Sequence, residues 1–328
     1  MTAFKVAVVQ AAPVLLDREA TVAKAAELTD QAAAGGARLV LFPEAFIPAY
    51  PRELTFGSVV GRRTPQGRRA FQRYWDQAVD VPSAATEALG AAARRNEIYL
   101  AIGVIERSRP QVGATLYCTL LYFGPDGALM GRHRKLKPTG AERLIWGEGD
   151  GSTLAAFKTD LGTIGGLICW ENYMPLARFS LYAQGVEVWV APTWDEGDGW
   201  IASMRHIALE GRCWVIGAGC AIRASDVPAD FPERDRLYPE PEEWLNRGDS
   251  VIVAPSGEIV AGPLHETYGL LMAEIDAAAA RAAHYTLDAA GHYNRPDIFS
   301  LRVDRSPRRQ VSFEHAEAPA ALPEVLEL

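Results

Sequence analysis

The sequence contains no run of about 18 or more uninterrupted apolar residues, so no membrane-spanning helix is predicted from it. A basic excess is missing as well: 33 Lys and Arg stand against 41 Asp and Glu, a net charge of −8. That balance argues against nucleic acid or an anionic membrane surface as the main partner and leaves a small-molecule substrate. Cysteine is scarce. Cys118, Cys169, Cys213 and Cys220 lie mostly in apolar stretches with no CxxC spacing, so neither a metal site nor a disulfide framework is suggested. This usage fits a reducing compartment and predicts a cytoplasmic protein. A cleaved leader is not expected either, because "FKVAVVQAAPVLL" is interrupted by Gln10 and Pro13 and has Lys5 as its only basic residue. It reads as a first strand.

What is present is an ordinary globular composition, 48% hydrophobic and 23% charged. The chain opens with strand, helix, strand: "FKVAVVQA", an alanine-rich helix capped by Asp17 and stopped at Gly35-Gly36, then "ARLVLFPE". A second unit follows, with a helix from a Ser83 cap and the strand "IYLAIGVIE". Two hairpin signals come later, Gly124-Pro125-Asp126-Gly127 and Pro255-Ser256-Gly257, and suggest two similar half-sheets. Helices around "PLARFSLYAQG" and "WIASMRHIALEGR" lie between them. No linker separates these elements, which favours one α+β domain of stacked sheets covered by helices. Three segments interrupt the order: a basic one at 57–75, an acidic one at 226–243, and a weakly periodic tail after about 304, expected to be extended or partly disordered.

Three single functional groups follow apolar strands, where strand ends of a covered sheet meet clefts. They are Glu44 in "LVLFPEAF", Lys135 or Lys137 in "RHRKLKPTGAER", and Cys169 in "GGLICWENYMP". Each has a bland alternative: a cap, a solvated charge, a buried structural thiol. Together they supply what acyl-type hydrolysis needs, namely a nucleophile, a base, and a cation for developing negative charge. An ammonium about 4 Å from a thiolate contributes at most about 4 kcal/mol at an effective dielectric near 20, roughly three pKa units. On that reading the lysine holds the thiolate near neutral pH.

"FPEAF" around Glu44, "HRKLKPTGAERLIWGEGDGS" and "GGLICWENYMPLAR" around Cys169 resemble, in this order, the three motifs of the nitrilase superfamily of carbon-nitrogen hydrolases. The resemblance implies a four-layer αββα sandwich, with a hydrolase domain over 1–280 and a C-terminal extension over 281–328 that contacts other subunits and then loses order. It implies Glu44 as general base, Lys135 as charge stabiliser and Cys169 as nucleophile. The motif's Arg-Lys-Leu, any residue, Pro-Thr pattern selects Lys135 over Lys137. Glu142 matches a further substrate-positioning glutamate, the alternative being an ion pair with Arg143 or Arg134, and the backbone N–H of Trp170 is expected to support the charged intermediate. No cofactor or metal is implied, and the partner is a second copy in a homodimer or larger homo-oligomer. "CWE" and "ERLIWGEGDGS" are similar to the nitrilase branch, whose members turn nitriles into acids through a thioimidate; an amidase or carbamoylase acting on a small amide is the alternative.

For the substrate pocket the expectation falls on Tyr50, Tyr173, Thr193 and Trp194. His133 shares a face with Lys135 in an extended segment, with no reason in the sequence to prefer it as a base. His206 reads as a packed or hydrogen-bonded helix histidine, and Cys118, Cys213 and Cys220 as core. The basic and acidic insertions suggest charge pairing between subunits.

Overall fold

The computed structural model describes residues 3–108 and 115–308. Two sheets form its centre. The first contains β1 (Phe4–Gln10), β2 (Ala37–Leu41), β3 (Tyr99–Arg107), β4 (Leu116–Phe123) and β5 (Leu129–Arg134). β1, β2 and β3 run parallel and the β4–β5 hairpin closes one edge. The second contains β6 (Phe157–Thr159), β7 (Gly162–Gly166), β8 (Val188–Thr193), β9 (Trp214–Gly219), β10 (Ala221–Arg223), β11 (Trp244–Val253) and β12 (Ile259–His265). Here β7, β8 and β9 are the parallel trio, followed by antiparallel β11 and β12. The halves thus repeat one plan, each with one of the two hairpins read from the sequence. β13 (Gly269–Ile275) returns to the first sheet and pairs antiparallel with β1.

Strand periodicity sorts the apolar side chains into three layers. Along β1, Phe4, Val6 and Val8 face the space between the sheets, while Ala7 and Val9 face helices. Those helices are α1 (Arg18–Ala34), whose Asp17 cap accepts from Ala20 N, and α3 (Ala84–Arg95). Such a cap is worth about 1 kcal/mol. On the far side, α4 (Pro175–Tyr182) and α5 (Asp198–Gly211) cover the second sheet through Leu181, Trp200 and Met204 against Trp189, Val215 and Val251. Helix, sheet, sheet and helix give the four-layer αββα sandwich.

Some details depart from the sequence reading. The basic insertion contains a helix, α2 (Pro65–Gln77), capped by Thr64. The acidic insertion carries only the short α6 (Arg234–Leu237), and its Asp230 pairs with Arg73 of α2 at 2.9 Å, so opposite charges of the two insertions meet within one chain. Of the two readings of His206, packed or hydrogen-bonded, the packed one does not hold: it stands exposed on α5, 3.7 Å from Glu210. After α7 (Ala277–Ala283) the chain runs beside α4 to residue 308, and the remainder of the expected tail lies outside the described residues.

Candidate active site

Glu44 follows β2, and its loop lies flat on β3 because residue 103 is glycine. A methyl group there would sit 2.3 Å from the Pro43 carbonyl oxygen and 2.8 Å from Glu44 Cα. Lys135 follows β5 on the same inward face as His133, and its N–H donates to the Cys118 carbonyl at 2.8 Å. Cys169 opens a tight 3-10 turn after β7 with φ of +52°, a left-handed conformation that a non-glycine residue holds only under constraint. Asn172 supplies that constraint. Its Nδ2 donates to the carbonyls of Leu167 and Cys169 at 2.9 and 2.8 Å, and its Oδ1 accepts from Trp189 Nε1 at 2.8 Å.

These segments meet between the sheets. Lys135 Nζ donates to Glu44 Oε1 at 2.6 Å and to Glu142 Oε2 at 2.9 Å, and all four residues, with Cys169, are buried. Lys137 is elsewhere, at the surface and paired with Glu148. Glu142 makes neither of the ion pairs considered from sequence: Arg134 is held by Glu106, and Arg143 donates to the Pro138 carbonyl. Glu44 Oε2 accepts the Trp194 N–H at 2.9 Å, and the Cys118 thiol lies 3.5 Å from Oε1. Cys118 is therefore core, as read, but it touches the site; nothing in its apolar sequence context signals this.

Electrostatics correct one expectation. Burial first, then the Glu44 charge, push the Cys169 thiol up to about 12, and Lys135 and a Thr193 hydrogen bond only partly oppose them. Burial and the neighbouring Glu44 together hold the resting nucleophile as a thiol. Burial also raises the Glu44 carboxyl, against the pull of Lys135. Burial works against the Lys135 ammonium, yet the surrounding acids, Glu44 foremost, hold it well above the ordinary lysine value. Removing one partner from a buried pair of this kind costs about 3–5 kcal/mol.

A cavity of about 340 Å³ opens onto Cys169, walled by Tyr50, Glu142, Trp170, Trp194 and Asn246 among others. Tyr50 donates to Glu142 Oε1 at 2.6 Å and stacks on Trp194 with ring centroids 4.4 Å apart. Of the residues expected in the pocket, Thr193 is fully buried and Tyr173 stands exposed, and neither lines this cavity. The half-exposed Trp170 and Tyr173 both donate to Asp195 Oδ2, at 3.0 and 2.8 Å. Asn246 Nδ2 donates to the Trp194 carbonyl at 2.5 Å. Asp195 and Asn246 carry no signal in the sequence, because both are distant in the chain from the residues they hold. Among the described residues no cluster of His, Cys, Asp and Glu is arranged to hold a metal.

Known proteins share this architecture. A carbon-nitrogen hydrolase from Helicobacter pylori superposes with a TM-score of 0.68 at 18% identity, covering 90% of this chain and 97% of that one. An aliphatic nitrilase of Sinorhizobium fredii is 50% identical over 95% of this chain and 99% of its own. A bifunctional nitrilase/nitrile hydratase of Lupinus angustifolius is 46% identical over 94% and 88%. The family model for carbon-nitrogen hydrolases matches residues 5–285, a span that takes in both sheets and every residue around the buried lysine. On that match the chain belongs to the carbon-nitrogen hydrolase family.

Proposed function

We propose that the protein hydrolyses an organic nitrile to the carboxylic acid and ammonia, with Glu44, Lys135 and Cys169 as its catalytic residues. The observation that carries the reading is the buried lysine shared by Glu44 and Glu142 beside a buried thiol that faces a cavity. The nitrilase relatives at about half identity give the substrate its class.

The thiol attacks the nitrile carbon while Glu44 takes its proton and passes it to the nitrogen, which gives a thioimidate. Because the thiol is held protonated, base and nucleophile act in one step rather than through a standing thiolate. Two of the three ammonium protons of Lys135 are engaged by carboxylates. The third, with the Trp170 N–H, stabilises the nitrogen as charge develops. Glu44 next activates water toward the thioimidate carbon and returns that proton to the amino group. Ammonia leaves the tetrahedral intermediate, and a second water releases the acid from the thioester and restores the thiol. Two waters enter; one acid and one ammonia depart. Glu142 and Tyr50 fix the lysine, while Trp170 and Trp194 wall a compact substrate.

A second outcome is open to the same intermediate. If the sulfur leaves before ammonia, the product is the amide, and the bifunctional lupin relative at 46% identity favours testing for it. Ammonia, acid and amide are measured from aliphatic, aryl and arylaceto nitriles and the matching amides, with Cys169→Ala beside the native chain. Acid formation lost in the variant is expected; clear turnover of amides but not nitriles would move the protein to the amidase branch. The chain is further read as a cytoplasmic homo-oligomer. Leu176 on α4 with Tyr293, Ile298 and Phe299 lines an exposed apolar groove, and that groove supports the oligomer reading. Sedimentation velocity is expected to return a dimer or more, and a monomer would end that reading.

A further inference from the structure

Two buried titratable side chains take no part in the reaction above: His133 on β5 and Glu171 in the turn that begins with Cys169. Glu171 Oε1 accepts the backbone N–H of Leu136 at 2.6 Å, and Oε2 accepts that of Ile168 at 2.9 Å. Leu136 adjoins Lys135, and Ile168 adjoins Cys169. One carboxylate therefore ties together the two chain segments that deliver the ammonium and the thiol. His133 Nε2 lies 3.1 Å from Oε2 and 3.2 Å from Oε1, while Nδ1 faces the Thr153 carbonyl oxygen at 3.3 Å. Both ring nitrogens meet acceptors. A neutral imidazole has one proton to give, so only the imidazolium donates to both.

We infer that His133 and Glu171 are positioning residues, a buried clasp that holds the Cys169 turn in register with the Lys135 segment and does so only while the ring carries both protons. The other charged groups nearby are engaged elsewhere. On β5 itself Arg132 and Arg134 are bound by Glu106 on the opposite face, and Lys135 is bound by Glu44 and Glu142. On β4 the inward titratable groups are Tyr122, whose phenol burial pushes up, and Cys118. Beside Thr153, Asp150 accepts from Ser152. Burial by itself would discharge the ring, but the Glu171 charge and both hydrogen bonds outweigh it and hold His133 above the usual histidine range. With the folded value raised, the stabilisation is fully present below about 6.5 and is lost as pH climbs through the raised value.

The inference rests on the catalytic assignment of Glu44, Lys135 and Cys169. Acid formation from one accepted nitrile is followed across pH for the native chain, His133→Gln and Cys169→Ala. In His133→Gln, kcat is expected to fall about tenfold or more with KM within about twofold, because a small misplacement of the reacting groups acts on the transition state. The alkaline fall in native kcat should flatten in the same variant. A lowered melting temperature with kcat and its pH profile unchanged would reduce the pair to an ordinary structural contact and overturn the inference. Should His133→Gln fail to fold, the native chain labelled with 15N-histidine decides: the buried ring is expected to keep both N–H groups at the pH of maximal turnover, and a neutral ring there overturns the clasp. Turnover surviving in Cys169→Ala would instead strike the catalytic assignment, and the inference with it.

Discussion

Two charged clusters sit on opposite faces of the same hairpin, and they differ in the ratio of their charges. On the helix side, Glu106 accepts from Arg132 at 2.7 Å, from Arg134 at 2.6 Å and from Thr119 at 2.9 Å. Two cations serve one acid, the arginines reach solvent, and no thiol is near. On the inward side, Lys135 serves Glu44 and Glu142, all three are buried, and Cys169 faces a cavity beside them. One cation serves two acids there. A buried charge whose partners satisfy it completely is architecture; a carboxylate left in excess beside a nucleophile has proton affinity to spare. Burial raises the Glu44 carboxyl of the inward cluster against the pull of Lys135.

Removing the surplus acid should break this contrast most severely. Glu44→Gln is expected to lower acid formation by about 10²–10⁴-fold, the usual range for a general base, measured as kcat on any accepted nitrile. A loss under tenfold would show that proton removal from Cys169 does not run through Glu44. The same variant sharpens the electrostatic half of the comparison. Glu44 is the largest charge raising the thiol, so its neutralisation should move Cys169 down from about 12. Alkylation of Cys169 followed by mass spectrometry against pH would then rise at lower pH than in the native chain, even as turnover falls. No displacement of that curve would refute the account of a protonated resting thiol. On the other face, Glu106→Gln leaves two half-exposed arginines short of an anion and should cost roughly 1–3 kcal/mol of stability, read by denaturant unfolding. Its kcat should stay within about twofold of native, because the residue lies outside the cavity and touches none of the reacting groups.

Much of this was legible from residues alone. Alternation along β5 predicts that His133 and Lys135 share a face, and the Ser83 and Asp17 caps and the two Gly-containing turns mark the elements they bound. The motif pattern separated Lys135 from Lys137, and the structure brings the former to Glu44. Other residues carried no such signal. Cys118 looked like any strand cysteine, and Gly103 like any strand glycine, although the first touches Glu44 and the second lets the Glu44 loop approach β3. Helix α2 was obscured by five arginines in the basic insertion, and its buried Tyr74 is the part a charge count does not weigh.

The sequence by itself determined the alternating strands, the turns between them, and the kinds of group placed at their ends. Local periodicity and backbone preference act within a few residues, so they can be read in order. Only the tertiary structure decided what those groups became. It buried the thiol beside the Glu44 charge and so raised what Lys135 was expected to lower. It also set one carboxylate, Glu171, against both Leu136 and Ile168, 32 residues apart by number. Charge balance and burial depend on distances between remote segments, and those distances exist only once the sheets have packed.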